Sequence, residues 1–109
     1  MQATLDHVVF WTDDPLQAAE FYERVVGLAP VRLEEFRAGQ APFPSVRISR
    51  STIIDLMARV AAPVVDAMTG ADASAGHRVN HLCLAMSESE FTALRGRLAA
   101  NGIAISNFM

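Results

Sequence analysis

The sequence predicts an α+β fold: paired βαβββ modules, the second of them incomplete. Three observations carry this. An apolar run, Leu5 to Trp11, is followed at once by Asp13-Asp14-Pro15, a strand running into a helix start. Three short segments with strand-like alternation follow that helix before residue 60. Shifted by 74 positions, Leu5-Asp6-His7-Val8-Val9-Phe10 then lies over Val79-Asn80-His81-Leu82-Cys83-Leu84, so the opening unit is written twice with a histidine at the same place.

Each element has its own reason. The Val, Phe and Trp of Leu5 to Trp11 favour a buried strand. A helix starts near Asp14, with Leu16, Ala19, Phe21, Tyr22, Val25 and Val26 at helical spacing, and Gly27 supplies the left-handed stop. Ala29 to Phe36 alternates loosely and reads as a second strand, and 37–42 as a turn. Ser45 to Arg50 reads as a third strand. Thr52 to Ala58 reads as a fourth, with Ile53, Asp55 and Met57 on one face and Ile54 and Leu56 on the other. The first module spans 1–60, and the Ala/Pro/Gly/Ser/Asp-rich stretch 61–77 is a crossover or linker in which a short helical turn fits. The partial second module, 78–109, repeats the strand over Arg78 to Met86. Ser87-Glu88-Ser89-Glu90 forms a capping box before a helix to about Ala100, Gly102 stops it, and Ile103 to Ile105 begins another strand.

Composition narrows the function. At 109 residues the chain is a single domain, 51% hydrophobic and 19% charged, with net charge -3. The basic footprint that nucleic acid demands is absent, and no apolar run approaches the roughly 20 residues that span a bilayer. Cys83 has no intrachain partner and the N-terminus lacks a signal-peptide pattern, so the expected location is cytoplasmic. No G-x-G-x-x-G, P-loop or G-x-S-x-G occurs, which removes the motif-based dinucleotide, nucleotide triphosphatase and serine hydrolase readings.

The chemistry-bearing residues cluster in the repeat. Alternation places Leu5, His7, Val9 and Trp11 on one strand face, and Val79, His81, Cys83 and Ala85 on the face of its copy. If the modules pack around a pseudo-twofold, His7, His81 and Asp55 converge. Two imidazoles and a carboxylate suit a divalent Fe, Mn, Ni, Co or Zn ion and leave positions open for substrate. Trp11, Met57 and Cys83 are candidates to line the pocket. His77 and His81 lie four apart, but that spacing pairs ligands only on a helix.

The chain resembles the vicinal oxygen chelate superfamily, which includes glyoxalase I, extradiol dioxygenases, methylmalonyl-CoA epimerase and bleomycin resistance proteins. The resemblance rests on Leu5 to Phe10, on Glu20-Phe21-Tyr22-Glu23-Arg24-Val25-Val26-Gly27-Leu28, on Ile53-Ile54-Asp55-Leu56 and on Asn80 to Leu84. It implies a cup-shaped mixed sheet with the first strand of each module beside the fourth. It also implies metal ligation by His7 and His81, with Asp55 where relatives place a carboxylate, usually Glu. The family's last ligand, a Glu on a closing strand, has no counterpart, so the natural protein is expected to continue for roughly 25 to 35 residues, on the usual size of domains. The implied function is that of a glyoxalase- or dioxygenase-like metal enzyme acting on a small molecule with vicinal oxygens. The alternative is a metal-free, bleomycin-resistance-like binding protein. Either is expected to be a homodimer.

Overall fold

A computed structural model describes residues 3–76 and 82–105. Strand β1 (His7–Thr12) leads to helix α1 (Pro15–Phe21), where the Asp14 carboxylate accepts the Gln17 amide at 3.1 Å and Pro15 takes the first turn, whose amide has no helical acceptor. The helix runs on as a wide π turn, Tyr22–Val26, and both Gly27 N and Leu28 N donate to the Tyr22 carbonyl, at 2.8 and 2.9 Å. Gly27 ends it in the left-handed region, φ 90°.

The next strand is shorter than its alternation suggests. β2 is Ala29–Val31 alone, and Leu33–Arg37 forms a short helix, α2. Leu33 and Phe36 are apolar at i and i+3, a spacing compatible with one helical turn as well as with a loose strand. Arg32, at φ 59°, breaks the extended backbone between the two. Strand β3 covers only Ser45–Arg47 because the chain turns immediately, the Ile48 amide donating to the Thr52 carbonyl at 2.9 Å, and β4 is Ile53–Ala58.

These strands form one open sheet in the order β1-β4-β3-β2, with β1 parallel to β4 and the other pairs antiparallel. The first strand therefore sits beside the fourth, with the second at the far edge, as the resemblance implies. Ile54 and Leu56 of β4, Val46 of β3, Ala19 of α1 and Leu33 of α2 make the buried core, flanked by Val8 and Phe10. Even-numbered residues of β1 and β4 thus face the helices. Odd-numbered ones, His7, Val9, Trp11, Ile53, Asp55 and Met57, face the other way.

The second half departs further from expectation. Ala62–Thr69 is a two-turn helix, α3, longer than the short helical turn the sequence suggests for the linker, and Pro63 falls in its first turn, where a missing amide costs nothing. Of the expected strand over Arg78 to Met86, residues 78–81 lie outside the described residues, and Leu82 to Met86 carry no strand. Ile103 to Ile105 form none either. A strand exists through its ladder, and none of the described strands pairs with either segment. Helix α4 (Glu88–Ala100) forms as expected, with both halves of the capping box made, and the bonds from Ser87 hold the Glu90 carboxyl below the usual range.

Arg97 ties helix α4 to the π turn. Arg97 Nε donates to the Val25 carbonyl at 3.1 Å and Nη2 to the Val26 carbonyl at 3.0 Å, capping the π turn with a cation where its free carbonyls concentrate negative charge. A Cβ on Gly27 would stand 2.7 Å from Arg97 Nη2. Gly27→Ala is therefore expected to lose about 1–2 kcal/mol through the left-handed backbone alone, and to loosen α4 as well. A urea unfolding midpoint equal to wild type would contradict this role of Gly27.

Candidate functional site

The site is set by the register of two parallel strands. His7 pairs with Ile53, Val9 with Asp55 and Trp11 with Met57, so every odd side chain of β1 lies beside an odd side chain of β4 on the open face. Across β4, Asp55 is opposite Ser45 and Ile53 opposite Arg47. His7 and Asp55 consequently occupy neighbouring rows of one face.

His7 stands at the start of the edge strand with its side chain half exposed. Its Nδ1 lies 2.9 Å from Asp6 Oδ2. An ionised carboxylate only accepts, so Nδ1 donates, and in the neutral ring the lone pair belongs to Nε2. The Asp6 hydrogen bond, with a smaller contribution from the charge of Asp55, raises the imidazole above its ordinary pKa. The stabilisation from this pairing is fully present below the ordinary value and is lost as pH rises through the raised one. Both partners face solvent, so it is small.

Asp55 is buried, 6% exposed, and its Oδ1 accepts the Ser45 hydroxyl at 2.6 Å. Ser45 Oγ in turn accepts Arg32 Nη2 at 2.7 Å, and that same nitrogen lies 3.7 Å from Asp55 Oδ1. A chain Arg32–Ser45–Asp55 therefore runs across three strands' worth of the open face. The sequence offered no signal for it, because the three residues come from separate segments and none belongs to a motif.

Trp11 and Val9 border a cleft of about 1220 Å³ that follows the outer edge of β1, together with Tyr22, Leu28, Leu82 and Leu84. Burial pushes the Tyr22 phenol above its ordinary value. One wall is pinned by polar bonds. Trp11 Nε1 donates to Ser74 Oγ at 3.1 Å, the Ser74 hydroxyl and amide both donate to the buried Asp66 carboxylate, and Arg59 ties Asp13 to the Ala75 carbonyl. Of the other residues expected to line a pocket, Met57 is half-buried beside Trp11 on the open face and does not border this cleft. Cys83 is exposed, while its neighbours Leu82 and Leu84 border it.

The expected ligand set is only partly in view. His7 and Asp55 share a face. His81 and His77 lie outside the described residues. Among the described residues no group of three His, Cys, Asp or Glu side chains is placed to hold a metal ion.

An open sheet of this order, with a parallel first-to-fourth strand pair and a helix between the first two strands, defines a βαβββ module. The family model of the Glyoxalase/Bleomycin resistance protein/Dioxygenase superfamily matches residues 4–107, and the chain belongs to that superfamily. No curated protein matches it.

One expectation follows for the electrostatics. In an NMR titration of the His7 ring, Asp6→Asn is expected to bring its pKa down toward the ordinary 6.5, and Asp55→Asn to lower it by less. An unchanged His7 titration in Asp6→Asn would contradict the pairing.

Proposed function

We propose that the open face is a divalent-metal site held by His7, His81 and Asp55, and that the protein is a glyoxalase- or dioxygenase-like enzyme acting on a small molecule with two neighbouring oxygens. The observation that carries this reading is the preparation of His7. With Nδ1 given to Asp6, Nε2 is left as the nitrogen for a ligand, the carboxylate–histidine arrangement that fixes ring orientation and strengthens the imidazole as a donor. Asp55 adds a carboxylate on the same face. Its Oδ1 is engaged by Ser45, so Oδ2 is the oxygen offered to a metal. Asp is one methylene shorter than the Glu usual in relatives, but its place on a core strand fixes it where a surface carboxylate would wander.

A bound divalent ion would supply Lewis-acid stabilisation of negative charge on the substrate oxygens, worth several kcal/mol in a transition state. The protein's own residues supply the rest. Asp6 orients His7, Ser45 orients Asp55, and Val9, Trp11 and Met57 give an apolar bed that limits water around the reacting atoms.

The outer edge of β1 has no partner strand among the described residues, so the backbone donors and acceptors of alternate residues of this six-residue strand stand free beside an apolar cleft. We take this edge as the place where a second copy of the chain pairs, giving a homodimer with the substrate bound between copies. The lone thiol of Cys83 fits a reducing, cytoplasmic setting.

Metal analysis of protein purified without chelator tests the reading. Wild type is expected to retain a divalent metal in stoichiometric amount, and His7→Ala and His81→Ala to lose it. Asp6→Asn is expected to weaken metal affinity by about 10–100-fold, the usual consequence of removing a carboxylate behind a ligating histidine. Because the imidazole must be neutral to bind, affinity falls as pH drops through the raised pKa of His7. Equal, negligible metal in wild type and both histidine variants would overturn the enzyme reading in favour of metal-free ligand binding.

A further inference from the structure

We propose that Arg32 is an anion anchor on the open face, holding a carboxylate of a small organic acid whose apolar body lies along Val9 and Met57. This deepens the reading of that face as the substrate face and rests on it, but it does not need the metal.

Arg32 is one of two described non-glycine residues with positive φ, at φ 59° and ψ 23°, and it precedes α2 without making a side-chain cap. An L-residue with a long side chain is disfavoured there, and Gly or Asn would sit with less strain. Strain held at a residue that caps nothing points to its side chain. That side chain lies over the sheet. Nη2 donates to Ser45 Oγ at 2.7 Å, and the guanidinium carbon is 5.5 Å from the Phe43 ring centroid, so the plane is held by one hydrogen bond and one aromatic ring.

Arg32 is ion-paired with Asp55 but makes no hydrogen bond to it: the approach is 3.7 Å, and the carboxylate takes its hydrogen bond from Ser45. A guanidinium has five N–H donors, and a single one is engaged among the described residues. Exposure separates the two charges as well. The Arg32 side chain is 42% accessible and that of Asp55 9%, so the cation is the more exposed of the two. Arg47, on the same face one row along beside Ile53, adds a second positive charge, and its Nη1 is tied to the carbonyls of Ser49 and Arg50. His7, the other titratable group of this face among the described residues, carries its own counter-ion in Asp6.

The free edge of a held guanidinium matches a planar carboxylate through two parallel hydrogen bonds, a geometry lysine does not reproduce. The half-buried Val9 and Met57 lie on the same face, Val9 in the row of Ser45 and Asp55 and Met57 in the next. Arg32 is thus the residue that selects acids over neutral molecules of the same shape, and Ser45 and Asp55 act through it by holding it in place.

The test compares benzoate with its neutral isostere benzamide, on metal-stripped and on metal-loaded protein. Binding is followed by calorimetry and by the fluorescence of Trp11, the only tryptophan of the chain. Wild type is expected to prefer benzoate by about tenfold in both forms. Arg32→Asn, which suits the left-handed backbone, is expected to bind the two alike, and Arg32→Lys to keep part of the preference. In wild-type protein, benzoate and not benzamide should shift the one arginine Nε resonance that is missing from the Arg32→Lys spectrum, a readout independent of any variant's stability. Equal binding of the two compounds by wild type, a preference retained in Arg32→Asn, or an unmoved Arg32 resonance each overturns the assignment. If His7→Ala and wild type both lack metal while the benzoate preference persists, the metal reading falls and the Arg32 assignment stands.

Discussion

The parallel pairing of β1 with β4 is the constraint on which the rest of this structure depends. Parallel neighbours cannot be joined by a tight turn, so everything between them, two helices and two further strands, is the crossover that brings the chain back. The pairing also decides which side chains share a face. A slip of one residue would send Asp55 into the helix-packed core and bring Ile54 or Leu56 out, exchanging a hydrogen-bonded carboxylate for apolar surface. Core burial on one face of β4 therefore fixes the polar arrangement on the other.

Much of this is legible in the sequence. The Asp-Pro start and Gly27 stop bracketed the first helix, and strict alternation put Asp55 and Met57 opposite Ile54 and Leu56, because a helix cap and a two-residue period are local signals. The capping box at Ser87 and Glu90 is local in the same way. Where local signals tie, tertiary context decides. Leu33 to Phe36 suits a strand or a turn of helix, and Leu33 reaches the core as the latter. What no pattern contained was contact between distant segments: Arg32 to Ser45, Ser45 to Asp55, and Arg97 to the carbonyls of Val25 and Val26. Candidate ligands could be read from residue type and face, whereas the groups that orient them could not.

The repeated Asp/Asn-His unit shows the same division. Sequence similarity between two segments predicts similar propensities, and the first copy realises its propensity over His7–Thr12, where β4 lies alongside. Leu82 to Met86 has no such neighbour among the described strands and stays irregular. Helix α4, whose hydrogen bonds are internal, forms regardless, although it buries no side chain fully and is held to the first half chiefly through Arg97. Among the described residues β1 therefore keeps an unpaired outer edge, with the cleft and the polar face beside it.

In the proposed site, β1 and β4 deliver His7 and Asp55 to one metal position. Paramagnetic broadening of amide signals on titration with Mn(II) tests it most directly, since the effect is local to the bound ion and reports both strands at once. Broadening is expected first, and together, at His7 to Val9 and at Ile53 to Asp55. Broadening confined to one of these strands, or centred on the exposed acids Glu34 and Glu35 of α2, would contradict it.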